Sequence, residues 1–230
     1  MLFSIIQDLV SGKSVSLINV VAEILAVLFI IFCILPVHEW AHAWAANHLG
    51  DPTAKLQGRM NLNPLVSFDP VGALFLLLFG FGWAKPVPID SRYFKNRRRD
   101  TALTALAGPL SNLLVAWFGA LVFWGVYAAT GGDVPNFVHL FLLSYVEINV
   151  ALAVFNLIPL PPLDGSKILG SFLSDRALYR YYRYQNVIIL IAFVVLFSNV
   201  LTIPLNWLTS ACMNGVFWFG ALPFRIFGVL

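Results

Sequence analysis

Charge is scarce in this chain: Asp, Glu, Lys and Arg make up only 11% of its 230 residues. An ordinary soluble domain carries about 25%, so a water-soluble globule with a mostly polar exterior is excluded. With 60% hydrophobic residues and a positive mean hydropathy, the chain reads as an integral membrane protein. Cysteine is scarcer still. Cys33 and Cys212 are the only two, which excludes a disulfide framework. Cys33 precedes His38 by five residues, roughly 140° around a helix, and both cysteines read as packing residues. The opening MLFSIIQDLVSGKSVSL lacks a basic region followed by a small-residue cleavage site, so it is expected to be a retained interfacial segment and not a signal peptide. Linkers, low-complexity tracts and internal repeats are also missing. One membrane domain is expected over 1–230, with a core at about 18–170 and C-terminal helices at about 171–230.

Apolar runs long enough to span or dip into a bilayer lie at about 18–37, 68–83, 102–129, 137–157, 185–203 and 207–228. The second, FDPVGALFLLLFGFGW, is short and flanked by Pro70 and Gly82, which favours a re-entrant segment over a full crossing. Twelve of the 14 Lys and Arg residues then fall in loops at 50–67, 84–100 and 158–184 on one face, expected to be the cytoplasmic face by the positive-inside rule. The expected fold class is an all-α polytopic membrane protein with about five to six transmembrane segments. Residues 53–64, TAKLQGRMNLNP, alternate like a strand around Gly58, so a short β-hairpin segment is expected near the re-entrant run.

Two histidines and a glutamate stand at the end of the first apolar run, in VHEWAHAWAANHLG. An ionisable group at membrane depth costs several kcal/mol of hydration and marks a functional site by default. In H-E-x-x-H, His38 and His42 lie about 40° apart around a helix and about 6 Å apart along it, so both imidazoles reach one tetrahedral ion. Glu39 beside them suits a general base acting on water. A catalytic ion needs a third protein ligand and an open position. The stretch NLIPLPPLDGSK breaks a long apolar helix with Pro159, Pro161 and Pro162 before Asp164. Spacing alone leaves Asp164 either as a ligand or as an Asx turn capping a helix that starts near Ser166.

Taken together, HEWAH, DPTAKLQGRMNLNP, GWAKPVP, AGPLSN and NLIPLPPLDG resemble the motifs of the site-2 protease family (peptidase M50 type) of intramembrane zinc metalloproteases, in particular its compact bacterial members without a PDZ domain. The resemblance runs from about residue 30 to 170. It implies cleavage of peptide bonds within or at the edge of transmembrane segments, a multi-pass protein of the cell membrane with its active site toward the cytoplasm, and transmembrane proteins as substrates. It also implies one Zn2+ ion held by His38, His42 and Asp164, with Asn156 helping to stabilise the scissile carbonyl or its oxyanion. No motif departs from the family pattern in a way that suggests an inactive relative.

Gly108 and Pro109 place Asn112 near an expected helix start on the same face, either as a candidate substrate-binding residue or as a simple interhelical hydrogen-bonding group. The segment carrying Gly58, Asn61 and Asn63 is expected to capture an unwound substrate as an added strand. Glu23 and Glu147 carry no assigned role, and His48 and His139 read as surface or interfacial. The run KNRRRD at 95–100 suits an anchor against anionic lipid; its aromatic-poor setting gives no sign of nucleic acid. Two other functions fit a His and Asp cluster in membrane helices: a metal-ion transporter, which requires successive sites along a path, and a catalytically idle scaffold that binds membrane helices.

Overall fold

The computed structural model describes residues 11–12, 16–79, 82–197 and 202–228. The expected N-terminal interfacial segment lies largely outside them. Among the described residues, three helices are long and apolar enough to cross a membrane: Leu17–His48, Arg97–Ala129 and Asn136–Asn156.

The first of these is composite. Helix α1 (Leu17–Phe29) passes through a π-helical turn, Ile30–Ile34, into α2 (Leu35–His48). Pro36 stands in the first turn of α2, where it brings no N–H to continue the ladder. A π turn inserts about one residue into the helix and so rotates the face that follows by about 100°. Below it His38, Glu39, His42, Ala45 and Ala46 are buried.

Two short helical turns follow, α3 (Thr53–Leu56) and α4 (Pro64–Ser67), and then the apolar helix α5 (Pro70–Phe79). The strand expected over residues 53–64 is not formed. That stretch is a helical turn, a tight bend with Gly58 at φ +67° and an exposed loop capped by the Asn63 side chain on Leu65 N. The alternation misled because no neighbouring strand pairs with this stretch; polar side chains satisfy its main chain instead. The ten residues of α5 rise about 15 Å, half the roughly 30 Å of a bilayer core. The chain then doubles back, with Gly82 against Gly72 and Leu76. Residues 82–90 return as an extended segment without strand partners.

The central element is α6 (Arg97–Ala129), against which α2, α7 (Asn136–Asn156), α8 (Asp164–Phe172) and α11 (Thr202–Ile226) all pack. Its start is fixed by reciprocal capping: the Asn96 side chain accepts from Arg99 N, and Asp100 accepts from Asn96 N. Ala105, Gly108, Asn112, Ala116, Gly119 and Ala120 form its buried stripe, and such small residues let membrane helices approach closely. Pro109 does not break the helix, and Asn112 lies in its interior instead of near its start. Packed neighbours satisfy the backbone groups that a proline frees in a membrane helix. Val27, Ile30, Ile34, Leu35, Val146 and Val150 build the apolar core between the first composite helix and α7. The amphipathic α9 (Asp175–Arg183) and the apolar α10 (Gln185–Phe197) complete the described fold.

Candidate metal centre

Three elements meet at one point. From α2, His42 Nε2 stands 3.1 Å from His38 Nε2 and 3.0 Å from Asp164 Oδ2, and His38 Nε2 is 3.4 Å from the same oxygen. All three residues are buried. The opposite nitrogen of each ring is already engaged. His42 Nδ1 donates to the Thr104 carbonyl at 2.7 Å, and His38 Nδ1 faces Asn112 Oδ1 at 3.3 Å. These acceptors set the tautomers, so each Nε2 presents a lone pair. Two lone pairs and a carboxylate oxygen pointed at one another repel unless a cation lies between them. Around a tetrahedral ion with bonds of about 2.0–2.1 Å, ligand atoms stand about 3.3 Å apart, and the observed triangle matches that spacing. Among the described residues, this trio is the one group of three able to hold a metal ion.

Asp164 reaches the histidines across a proline-stiffened loop. After α7 ends at Asn156, the chain turns through Pro159, Pro161 and Pro162, with the Pro161–Pro162 bond cis, and α8 opens on Asp164 itself. Of the two alternatives left by spacing, the side chain takes the direction of the imidazoles, not that of an Asx cap. Lys167 Nζ donates to its second oxygen at 3.1 Å.

A cavity of about 190 Å³ opens beside the trio, walled by Glu39, Asn156 and Lys167 and by Trp83, Ala84, Pro86, Val87 and Ile89 of the returning segment. Glu39 Oε2 accepts the Val87 N–H at 3.0 Å. Pro86 and Pro88 lack N–H groups, so Val87 carries the only main-chain donor of that tripeptide. The segment is held on both sides of it. Lys85 N donates to Ser67 O, Asp90 N donates to the buried Asp51, and the Arg59 guanidinium donates to the carbonyls of Val66, Lys85 and Pro86.

The structure thus gathers His38, Glu39, His42, Asn156 and Asp164 at one cavity. The Asn156 amide donates to Leu152 O, so it is turned back onto its own helix. Asn112 lies behind His38 and is not part of the cavity wall. Gly58, Asn61 and Asn63 are exposed and also outside that wall. His48 stacks on Trp44 away from the trio. Sequence reasoning missed Val87, Arg59, Thr104 and Lys167. Main-chain partners such as Val87 N–H and Thr104 O leave no trace in residue identity; the available hint was GWAKPVP, a motif without a chemical side chain.

Comparison with known proteins gives a consistent picture. The model of peptidase family M50 matches residues 125–199, a range that includes Asn156 and Asp164. The chain is 43% identical over 141 residues to the candidate zinc metalloprotease YwhC of Bacillus subtilis, covering 57% of this chain and 62% of that protein. It is 28% identical over 172 residues to the candidate zinc metalloprotease Rip2 of Mycobacterium tuberculosis, covering 70% of this chain and 63% of that protein. It therefore spans somewhat over three fifths of the length of these relatives. No solved structure matches it.

Proposed function

We propose that this chain is a member of peptidase family M50, which its match over residues 125–199 and its likeness to YwhC support, and that it is a zinc metallopeptidase cleaving peptide bonds within or at the edge of transmembrane segments of membrane proteins. The observation that carries this reading is the convergence of His38 Nε2, His42 Nε2 and Asp164 Oδ2 beside the Glu39 carboxylate. His38, His42 and Asp164 would hold one Zn2+. The ion, when bound, supplies a Lewis acid that acidifies water and polarises a carbonyl.

The residues of the chain then divide the work. Glu39, with Oε2 held by Val87, takes a proton from water and returns it to the leaving amine. Asn156 swings from Leu152 O toward the cavity and donates its amide to the oxygen on which charge develops. Asn112 and Thr104 hold the imidazoles in the ligating tautomer.

Depth supports an intramembrane site. Thr104 and Gly108, the contacts of His42 on α6, lie seven and eleven residues after Arg97, or about 10 and 16 Å along the helix. At 33 residues, or about 50 Å, α6 is longer than the roughly 30 Å hydrocarbon core, so a bond cut there falls toward the arginine-bearing edge of that core. Arg97, Arg98 and Arg99 mark the end of α6 nearest the site, and the positive-inside rule supports a cytoplasmic side for that end.

The test is purified Glu39→Gln protein beside wild type in lipid vesicles. Both should bind one zinc, and only wild type should cut a membrane-helix substrate. Cleavage by Glu39→Gln at the wild-type rate would overturn the assignment.

A further inference from the structure

We infer that Arg59 is a positioning residue for Glu39, acting through the main chain of residues 85–87; this rests on the peptidase reading given above. The Arg59 guanidinium reaches three carbonyls on two segments. Nη1 donates to Val66 O, and Nη2 donates to Lys85 O at 2.6 Å and Pro86 O at 3.2 Å. Lys85 N closes the same junction by donating to Ser67 O at 2.9 Å. Pro86 immediately precedes Val87, whose N–H meets Glu39 Oε2 at 3.0 Å.

The geometry has the form of a lever with one free donor. Pro86 and Pro88 fix their own φ near −65° and push the residues before them into extended conformations. Two neighbouring carbonyls pinned by Arg59 leave the Val87 amide with little freedom except to point at Glu39. Planar, forked donors suit this task, whereas a lysine offers a point charge that cannot bridge three carbonyls in fixed directions. Val87 is itself buried, so water does not readily replace its N–H as the partner of Oε2. Arg59 does not itself line the cavity and is not one of the histidine trio; it reaches the wall only through the carbonyl of Pro86. Its influence on the reaction therefore passes through the extended segment to the orientation of one carboxylate, with no part in metal binding.

The experiment compares wild type with Arg59→Met, Arg59→Lys, Val87→Pro and the Arg59→Met/Val87→Pro double variant, each zinc-loaded in vesicles. Zinc stoichiometry, kcat, KM and hydrogen exchange of peptide 83–90 are measured. Arg59→Met should lower kcat roughly 10- to 100-fold with KM within about twofold, scaling with the loss of a group that orients a reacting one. Zinc stoichiometry should stay at one, amide exchange in 83–90 should accelerate, and Arg59→Lys should recover part of kcat. Val87→Pro removes the amide itself, so the double variant should be no slower than Val87→Pro alone. Multiplying defects, or an Arg59→Met protein whose zinc-loaded fraction keeps the wild-type kcat, would overturn the inference. If wild type cleaves nothing, the peptidase reading fails; the exchange data then still decide whether Arg59 holds the segment. Unchanged exchange in 83–90 would reject that role outright.

Discussion

Gly108 of α6 and His42 of α2 are packed so closely that a single hydrogen fills the space between them. A Cβ built on Gly108 would stand 2.5 Å from His42 Cε1 and 2.6 Å from His38 Cε1, with His42 Nε2 nearer still. The glycine therefore sets the distance between two helices and, through it, the position of both imidazoles.

Gly108→Ala should disable the centre without unfolding the protein. Overpacking by one methyl costs about 1–3 kcal/mol, and here the displaced groups are the two rings. Zinc affinity should fall at least 10- to 100-fold, the range seen when ligand orientation is lost. Competition with a chromophoric chelator measures it, and circular dichroism should show the helical content retained.

Asn112→Leu isolates the contribution of ring orientation. The substitution keeps the approximate volume and removes the acceptor facing His38 Nδ1. Asn112 Nδ2 is buried without a partner in the structure, so its removal also deletes an unsatisfied donor. Zinc affinity should drop roughly 10- to 100-fold while the unfolding temperature changes little. Asn112→Asp, which keeps an acceptor there, should stay nearer to wild type in the same titration.

Much of this centre is legible in the sequence because ligands and bases are side chains. The spacing of His38, Glu39 and His42 encodes a shared helical face directly, and the break before Asp164 announces a rigid arrival. The remainder is not written in residue types. Glu39 is held by a peptide N–H at Val87, a group every residue but proline offers, and His42 by a peptide carbonyl at Thr104, a group every residue offers. Pro109 was expected to break a helix that tertiary packing carries through. Alternation in residues 53–64 suggested a strand, yet a strand needs a neighbour, and this stretch has helices and an irregular segment beside it.

Asp164 and Lys167 should behave very differently when altered. Asp164→Ala leaves two imidazoles and removes the buried anion, so stoichiometric zinc binding should be lost. Lys167 is about a third exposed and contacts only the outer oxygen of Asp164, and ion pairs of such exposure contribute about 0–1 kcal/mol. Lys167→Met should therefore change zinc affinity less than about fivefold. Isothermal titration of both variants against wild type separates the two expectations.

Removing the metal should destabilise the fold itself, because the trio is a poor arrangement without a cation. Two imidazole lone pairs and a carboxylate oxygen converge within 3.4 Å on buried side chains. A ligand bound only by the folded state stabilises it by RT ln(1 + [L]/Kd), or about 2.7 kcal/mol at one hundred times Kd. Thermal unfolding in detergent should shift upward on adding zinc and downward with a chelator. Glu39→Gln should show the same increment as wild type, since the glutamate is not a ligand in this assignment. Asp164→Ala should show none, and a full zinc-dependent shift in that variant would place the ion somewhere other than between α2 and α8.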